Sequence, residues 1–299
     1  MAFRRLMLLS VSVAVVLVMM SSLASASSYS SMIVYGDSLS DNGNLFSLIG
    51  YPPPPYYLGR FSNGPVAVEQ VAAALGVPLI DFAVGGATTG VGNFVDGGTQ
   101  TVHVSLPGMQ QELALSAPLL ASPTTPSSLF VVWGGANDFF SGGSPATAVA
   151  NIDSIIGTLE IAGAQHILVP GLPDLALTPA YSGDPAATAY SVAFNSLLQA
   201  SLPSNVTYAD TFNLLNGVIS DPAAYGLSDA TDPCFNGTSV CANPGQFFFW
   251  DNVHPTTAGA AIVANQFEAA LVQTPEPASI LLIGSGMSGL IVLVRRRMA

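Results

Sequence analysis

Short β-rich runs alternate along this chain with Ala- and Leu-rich stretches, and that alternation narrows the available folds more than any other feature. Residues 32–35, 79–84, 129–133 and 167–169 read as buried strands, and residues 66–75, 146–162, 186–202 and 256–272 as helices. Such alternation argues for an α/β chain whose parallel sheet is covered on both faces. Ligands of such sheets bind beyond the carboxyl ends of the strands. The polar segments singled out below all fall there.

Both termini carry signals distinct from this pattern. Arg4 and Arg5 precede an apolar run, residues 6–20, and Ala24-Ser25-Ala26 then fits a small-residue cleavage site. Residues 1–26 therefore read as an export signal, with an uncleaved anchor as the alternative. At the other end, Thr274-Pro275-Glu276-Pro277 leads into an uncharged apolar stretch, 278–294, followed by Arg295, Arg296 and Arg297. A span followed by cations is a stop-transfer arrangement with the arginines held in the cytoplasm.

The body between them, residues 27–273, is long enough for one sizeable core. It holds 17 acidic residues and one cation, Arg60, and the whole chain has no lysine. A surface so negative repels phosphate backbones, which excludes nucleic-acid binding. Cys234 and Cys241 are separated by six residues. In an exported chain they are expected to form a disulfide.

Four segments carry the chemistry. Gly36-Asp37-Ser38-Leu39-Ser40-Asp41 follows the first strand, where a serine can expose its hydroxyl and aim its own N–H at an oxyanion. It does not fit the G-x-S-x-G elbow. Gly85-Gly86-Ala87-Thr88-Thr89 follows the second strand and lets backbone approach a ligand closely. Gly134-Gly135-Ala136-Asn137-Asp138 follows the third, and its Asn is either an uncharged donor or a helix cap. The last is Trp250-Asp251-Asn252-Val253-His254-Pro255. Of the three histidines, His103 lies in a polar loop, His166 opens an apolar strand, and His254 has Asp251 three residues before it. Asp251 and His254 as metal ligands would need a third partner, and none stands at suggestive spacing.

In order and spread these segments resemble the GDSL/SGNH hydrolases, with softer matches at Phe61-Ser62-Asn63-Gly64-Pro65 and Gly171-Leu172-Pro173-Asp174. The resemblance implies a three-layer α/β/α sandwich and a secreted carboxylic ester hydrolase (esterase or lipase). By the same resemblance Ser38 is the nucleophile, Asp251 and His254 complete its triad, and Ser38, Gly86 and Asn137 form the oxyanion hole. Gly85 competes with Gly86 for that role. The resemblance favours Gly86, because the family's donor glycine is usually followed by one residue and then a hydroxyl residue, as in Gly86-Ala87-Thr88. No metal or cofactor is expected. A polysaccharide O-acetyl esterase and a catalytically dead surface protein are the alternatives. Tyr51-Pro52-Pro53-Pro54-Pro55-Tyr56-Tyr57 reads either as the wall of a substrate groove or as a stiff surface loop.

The C-terminal order of Pro-Glu-Pro, span and basic cluster resembles the PEP-CTERM sorting tail of Gram-negative bacteria. Residues 274–299 would then engage an exosortase-type enzyme, as signal peptidase would act on the N-terminus. The body would be anchored at the inner membrane and then pass to the cell surface or beyond. A plain single-span anchor is the alternative.

Overall fold

The computed structural model describes residues 29–272, so the expected export signal and sorting tail lie outside the described residues. Five strands form the main sheet: β1 (Met32–Gly36), β2 (Leu79–Asp81), β3 (Leu129–Trp133), β4 (His166–Pro170) and β5 (Val206–Ala209). Their order is β2-β1-β3-β4-β5, and every neighbouring pair is parallel. The helices are α1 (Asn44–Ile49), α2 (Ala67–Leu75), α3 (Met109–Leu115), α4 (Ala117–Leu120), α5 (Ala136–Phe140), α6 (Pro145–Ile161), α7 (Pro185–Ser201), α8 (Thr211–Ser220) and α9 (Thr257–Val272). Helices α2, α6, α7 and α9 start and end within one residue of the positions read from sequence, whereas the ten-residue α8 was not expected.

The side chains of β1 divide between two cores, as the two-residue period of a strand requires. Met32 and Val34 pack with Val71 of α2, Leu215 of α8 and Val263 of α9. Ile33 and Tyr35 pack on the other face with Ile152 of α6 and Phe194 of α7. The result is the three-layer α/β/α sandwich. No helix among the described residues is long and apolar enough to cross a membrane.

Among the strands, three features depart from the sequence reading. The second strand ends at Asp81 rather than at residue 84: the Asp81 carboxylate accepts the Ala83 N–H at 2.9 Å, although the Phe82 and Val84 N–H groups still reach the Val34 and Gly36 carbonyls of β1 at 2.9 and 3.3 Å. Strand β5 was not expected. Its residues are mostly half-buried and include Thr207, so they give little apolar signal. A small separate sheet pairs β6 (Asp229–Pro233) with β7 (Phe247–Phe249). Cys234, just after β6, is bonded to Cys241, with Cα atoms 4.8 Å apart.

The strand ends around β1 are tied together by buried carboxylates. Glu112 accepts the N–H of Gly36 at 2.9 Å and of Val84 at 3.1 Å, joining the end of β1 to the loop after β2. Asp41 accepts those of Gly43 at 2.7 Å, Leu45 at 3.1 Å and Gly85 at 2.7 Å. Asp138 accepts both the N–H and the hydroxyl of Thr89, at 2.9 and 2.7 Å. With so few cations in the chain, backbone N–H groups satisfy these buried charges in place of salt bridges.

Burial pushes the carboxyls of Asp37, Asp41, Glu112 and Asp138 upward against these hydrogen bonds, Asp37 to about 6. A carboxyl raised in the fold holds its proton more tightly there than in the unfolded chain. The stability it contributes is complete below about pH 4, the ordinary Asp range, and is lost as pH rises through the folded value. For Asp37 that window runs from about 4 to about 6. Asp251, held down at about 2, keeps its contribution above the ordinary Asp range and titrates below this window. The thermal midpoint is therefore expected to be higher at pH 5 than at pH 7.5. A calorimetric midpoint that falls on going to pH 5 would contradict this reading of the buried carboxylates.

Candidate active site

Ser38 sits two residues beyond the end of β1. Gly36 closes that strand where it meets β3; a Cβ there would lie 2.6 Å from the Trp133 carbonyl oxygen, so the two strand ends approach closely only with glycine. The turn that follows is organised by Asp37. Its carbonyl accepts the N–H groups of Ser40 and Asp41 at 3.0 and 2.9 Å, and its carboxylate accepts that of Leu39 at 3.0 Å. The Ser38 N–H has no acceptor among the described residues.

His254 and Asp251 come from the opposite end of the chain. Asp251 Oδ1 accepts the backbone N–H groups of Val253 at 2.9 Å and His254 at 2.8 Å, folding the segment into a tight turn. The His254 ring places Nδ1 2.8 Å from Asp251 Oδ2, and Nε2 2.8 Å from Ser38 Oγ. Pro255 and then Thr256 lead into α9. The Thr256 hydroxyl accepts the Gly259 N–H at 3.0 Å, capping the helix just beyond the histidine. Burial alone would raise the Asp251 carboxyl, but the adjacent His254 ring and the two backbone donors outweigh it and hold the group at about 2. It stays ionised beside the imidazole.

The two other segments meet this trio. The Gly85 N–H is taken by Asp41 at 2.7 Å, whereas the Gly86 N–H has no acceptor among the described residues. Gly86 has φ +83°, and a Cβ there would meet Asn93 Oδ1 at 2.4 Å, so the position needs glycine on both counts. Asn137 lies in the first turn of α5 but does not cap it. Its amide donates to Asp37 Oδ2 at 3.2 Å and to the Ala87 carbonyl at 3.1 Å. Asp37, caught between Asn137 and His254, went unnoticed in the sequence reading, where it was simply the residue before the serine. His103 is exposed and His166 packs edge-on against Tyr29, so neither joins the site.

The softer sequence blocks support the same place. The Phe61 ring lies 4.8 Å from the His254 ring, Ser62 donates to the Pro255 carbonyl at 2.9 Å, and Asn63 accepts the Thr257 N–H at 2.8 Å. The Gly171 carbonyl accepts from Trp133 Nε1 at 3.2 Å and from the Thr211 hydroxyl at 2.7 Å. Among the described residues no cluster of His, Cys, Asp and Glu could hold a metal ion.

A cavity of about 210 Å³ is lined by Ser38, Gly86, Asn137 and His254. Its exposed side is formed by Tyr51, Phe94 and Val95. Its inner wall is Trp133, Leu215, Phe249 and Val263, buried members of the core between the sheet and helices α8 and α9. Few of the lining side chains are polar. Chemically, the arrangement offers a hydroxyl whose proton an imidazole can accept, two free backbone N–H groups, and an apolar space.

Residues 273–297 match the PEP-CTERM protein-sorting motif. The chain is 32% identical over 268 residues to the thermolabile hemolysin of Vibrio parahaemolyticus, covering 79% of this chain and 62% of that protein. It is 31% identical over 229 residues to the phosphatidylcholine-sterol acyltransferase of Aeromonas hydrophila, covering 71% and 67%. Esterase EstA of Pseudomonas aeruginosa is 28% identical, covering 86% of this chain and 49% of its own length. The chain thus spans less than two thirds of the hemolysin and about half of the esterase. Residues 32–267, nearly all of the described fold, match the GDSL-like lipase/acylhydrolase family, and to that family the chain belongs.

Proposed function

We propose that this chain is an exported serine hydrolase of carboxylic esters, with Ser38 as nucleophile and His254 and Asp251 as its base and orienting carboxylate. The observation that carries the proposal is the unbroken contact from Ser38 Oγ to His254 Nε2 and from His254 Nδ1 to Asp251, each at 2.8 Å. Ser38 Oγ attacks the ester carbonyl while Nε2 takes its proton. Ionised Asp251 selects the tautomer that carries its proton on Nδ1 and stabilises the imidazolium. The oxyanion meets the N–H groups of Ser38 and Gly86, with the Asn137 amide as third donor. Asn137 reaches it by sharing the proton now given to Asp37 over the longer of its two contacts. His254 then protonates the departing alcohol, and water repeats the cycle on the acyl-enzyme. This reading needs no metal or organic cofactor.

The cavity favours acyl groups longer than acetyl, which sets the polysaccharide O-acetyl esterase reading second. An apolar cavity of about 150 Å³ is enough to take up a benzene ring. A space of about 210 Å³ would be left mostly empty by an acetyl methyl. Export through signal peptidase, and later cleavage of residues 274–299 by an exosortase-type enzyme, complete the proposal. The sorting motif supports it.

Ser38→Ala is expected to abolish aryl-ester turnover with the fold retained, and His254→Ala to be comparably severe. Asn137→Ala should lower kcat by roughly 10²–10³-fold, the cost of one oxyanion donor. Full activity in Ser38→Ala would end the serine-hydrolase reading. In an ester chain-length series, kcat/KM for hexanoate should exceed that for acetate by at least about tenfold. That is a fraction of what four buried methylenes offer at about 0.8 kcal/mol each. A maximum at acetate would instead favour the O-acetyl esterase. For the termini, intact mass of the mature protein from its native host should show a chain lacking Arg295, Arg296 and Arg297. A mass that retains them would rule out sorting by cleavage.

A further inference from the structure

We infer that Tyr56, at the end of the proline-rich loop, is a positioning residue that holds the Asp251 carboxylate in register with His254. This rests on the triad reading above. The Tyr56 O–H donates to Asp251 Oδ2 at 2.7 Å, the same oxygen that lies 2.8 Å from His254 Nδ1. The other donors to Asp251 are the backbone N–H groups of Val253 and His254 and the His254 ring itself. All of those belong to the segment that carries Asp251 and move with it. The segment backbone is held elsewhere, as by the Ala180 N–H on the Asn252 carbonyl at 2.9 Å, but among the described residues the donor that reaches the Asp251 carboxylate itself from outside its segment is Tyr56, 195 residues away in sequence.

The tyrosine is well built for that task. Its ring meets Phe61, Phe235 and Trp250 edge-on, with centroids 6.1, 5.8 and 6.2 Å away. Phe235 stacks on Trp250, and Phe61 packs on the His254 ring. Phe235 belongs to the loop closed by the Cys234–Cys241 bond. Aromatic contacts therefore fix the ring while its hydroxyl reaches the carboxylate. Burial, and then the Asp251 charge, push the Tyr56 hydroxyl upward, so it remains a donor across the working pH range. Residue Tyr51 of the same loop lines the substrate cavity, so one loop shapes the mouth and steadies the dyad.

A donor on the carboxylate also withdraws charge from the Asp251–His254 contact. Without it, the carboxylate stabilises the imidazolium more strongly, and the acid limb of kcat/KM moves to higher pH. The titratable groups facing the dyad are Asp37 across Ser38, Asp251 and Tyr56, with Tyr51 beside Tyr56. The substitution leaves Asp37 and Tyr51 in place, so the difference from wild type reports the Tyr56 donor.

Tyr56→Phe keeps the caged ring and removes the hydroxyl. On a short aryl ester it is expected to lower kcat about tenfold, as loss of a hydrogen bond to a charged group implies. KM should change little, and the acid limb should move up by about half a pH unit or more. Installing 3-fluorotyrosine at position 56, a stronger donor, should move the limb the other way. Unchanged kinetics in Tyr56→Phe, or a loss of kcat with both limbs fixed, would overturn the inference and leave Tyr56 as packing. Should Ser38→Ala retain turnover, the triad reading itself would fall. A dead Ser38→Ala beside an unaffected Tyr56→Phe would sink the Tyr56 inference alone.

Discussion

From β1 the chain turns first to β2 on one side and afterwards to β3 on the other, so no crossover connection covers the carboxyl ends between β1 and β3. A crevice at that reversal is a consequence of topology, not of any one side chain. The loop after β1 brings Ser38, the loop after β2 brings Gly86, and the start of α5 after β3 brings Asn137. The turn before α9 then closes the crevice with His254. Parallel strands force this convergence, because every strand ends on the same edge of the sheet.

Holding such a crevice open requires loops that cannot collapse into it. Acidic side chains do this work in a chain that is almost without cations. Asp37, Asp41, Glu112 and Asp138 face inward and accept backbone N–H groups, which fixes the loops without filling the space. Asp41 has a second effect: by capturing the Gly85 N–H it leaves the Gly86 N–H as the one free to face the cavity. Carboxylates spent this way are costly to bury, and the upward push on their titration is the sign of that cost.

Much of this was legible in the sequence, because the central strands are buried on both faces and their apolar runs are unmistakable. Ser38, Asn137, Asp251 and His254 stood out as polar residues at strand ends or before a helix. Short or half-exposed elements were not legible: β5 mixes Thr and Tyr with Val, and β6 carries Asp and Pro. Tyr56 could be seen only as part of a proline-rich loop. Its partner lies at the far end of the chain, and nothing local distinguishes a tyrosine that meets a carboxylate from one that meets solvent. Phe61 was noticed as part of a soft motif, but its contact with the His254 ring is equally a product of tertiary packing.

The central claim is that one serine of this chain, placed by the end of β1 and deprotonated through His254, attacks acyl carbon. Reaction of the folded protein with a fluorophosphonate, followed by peptide mass analysis, tests it most directly. The account predicts a single adduct on Ser38, formed quickly in the wild type and very slowly in His254→Ala. An adduct on a different serine, or none in protein of native fold, would contradict it.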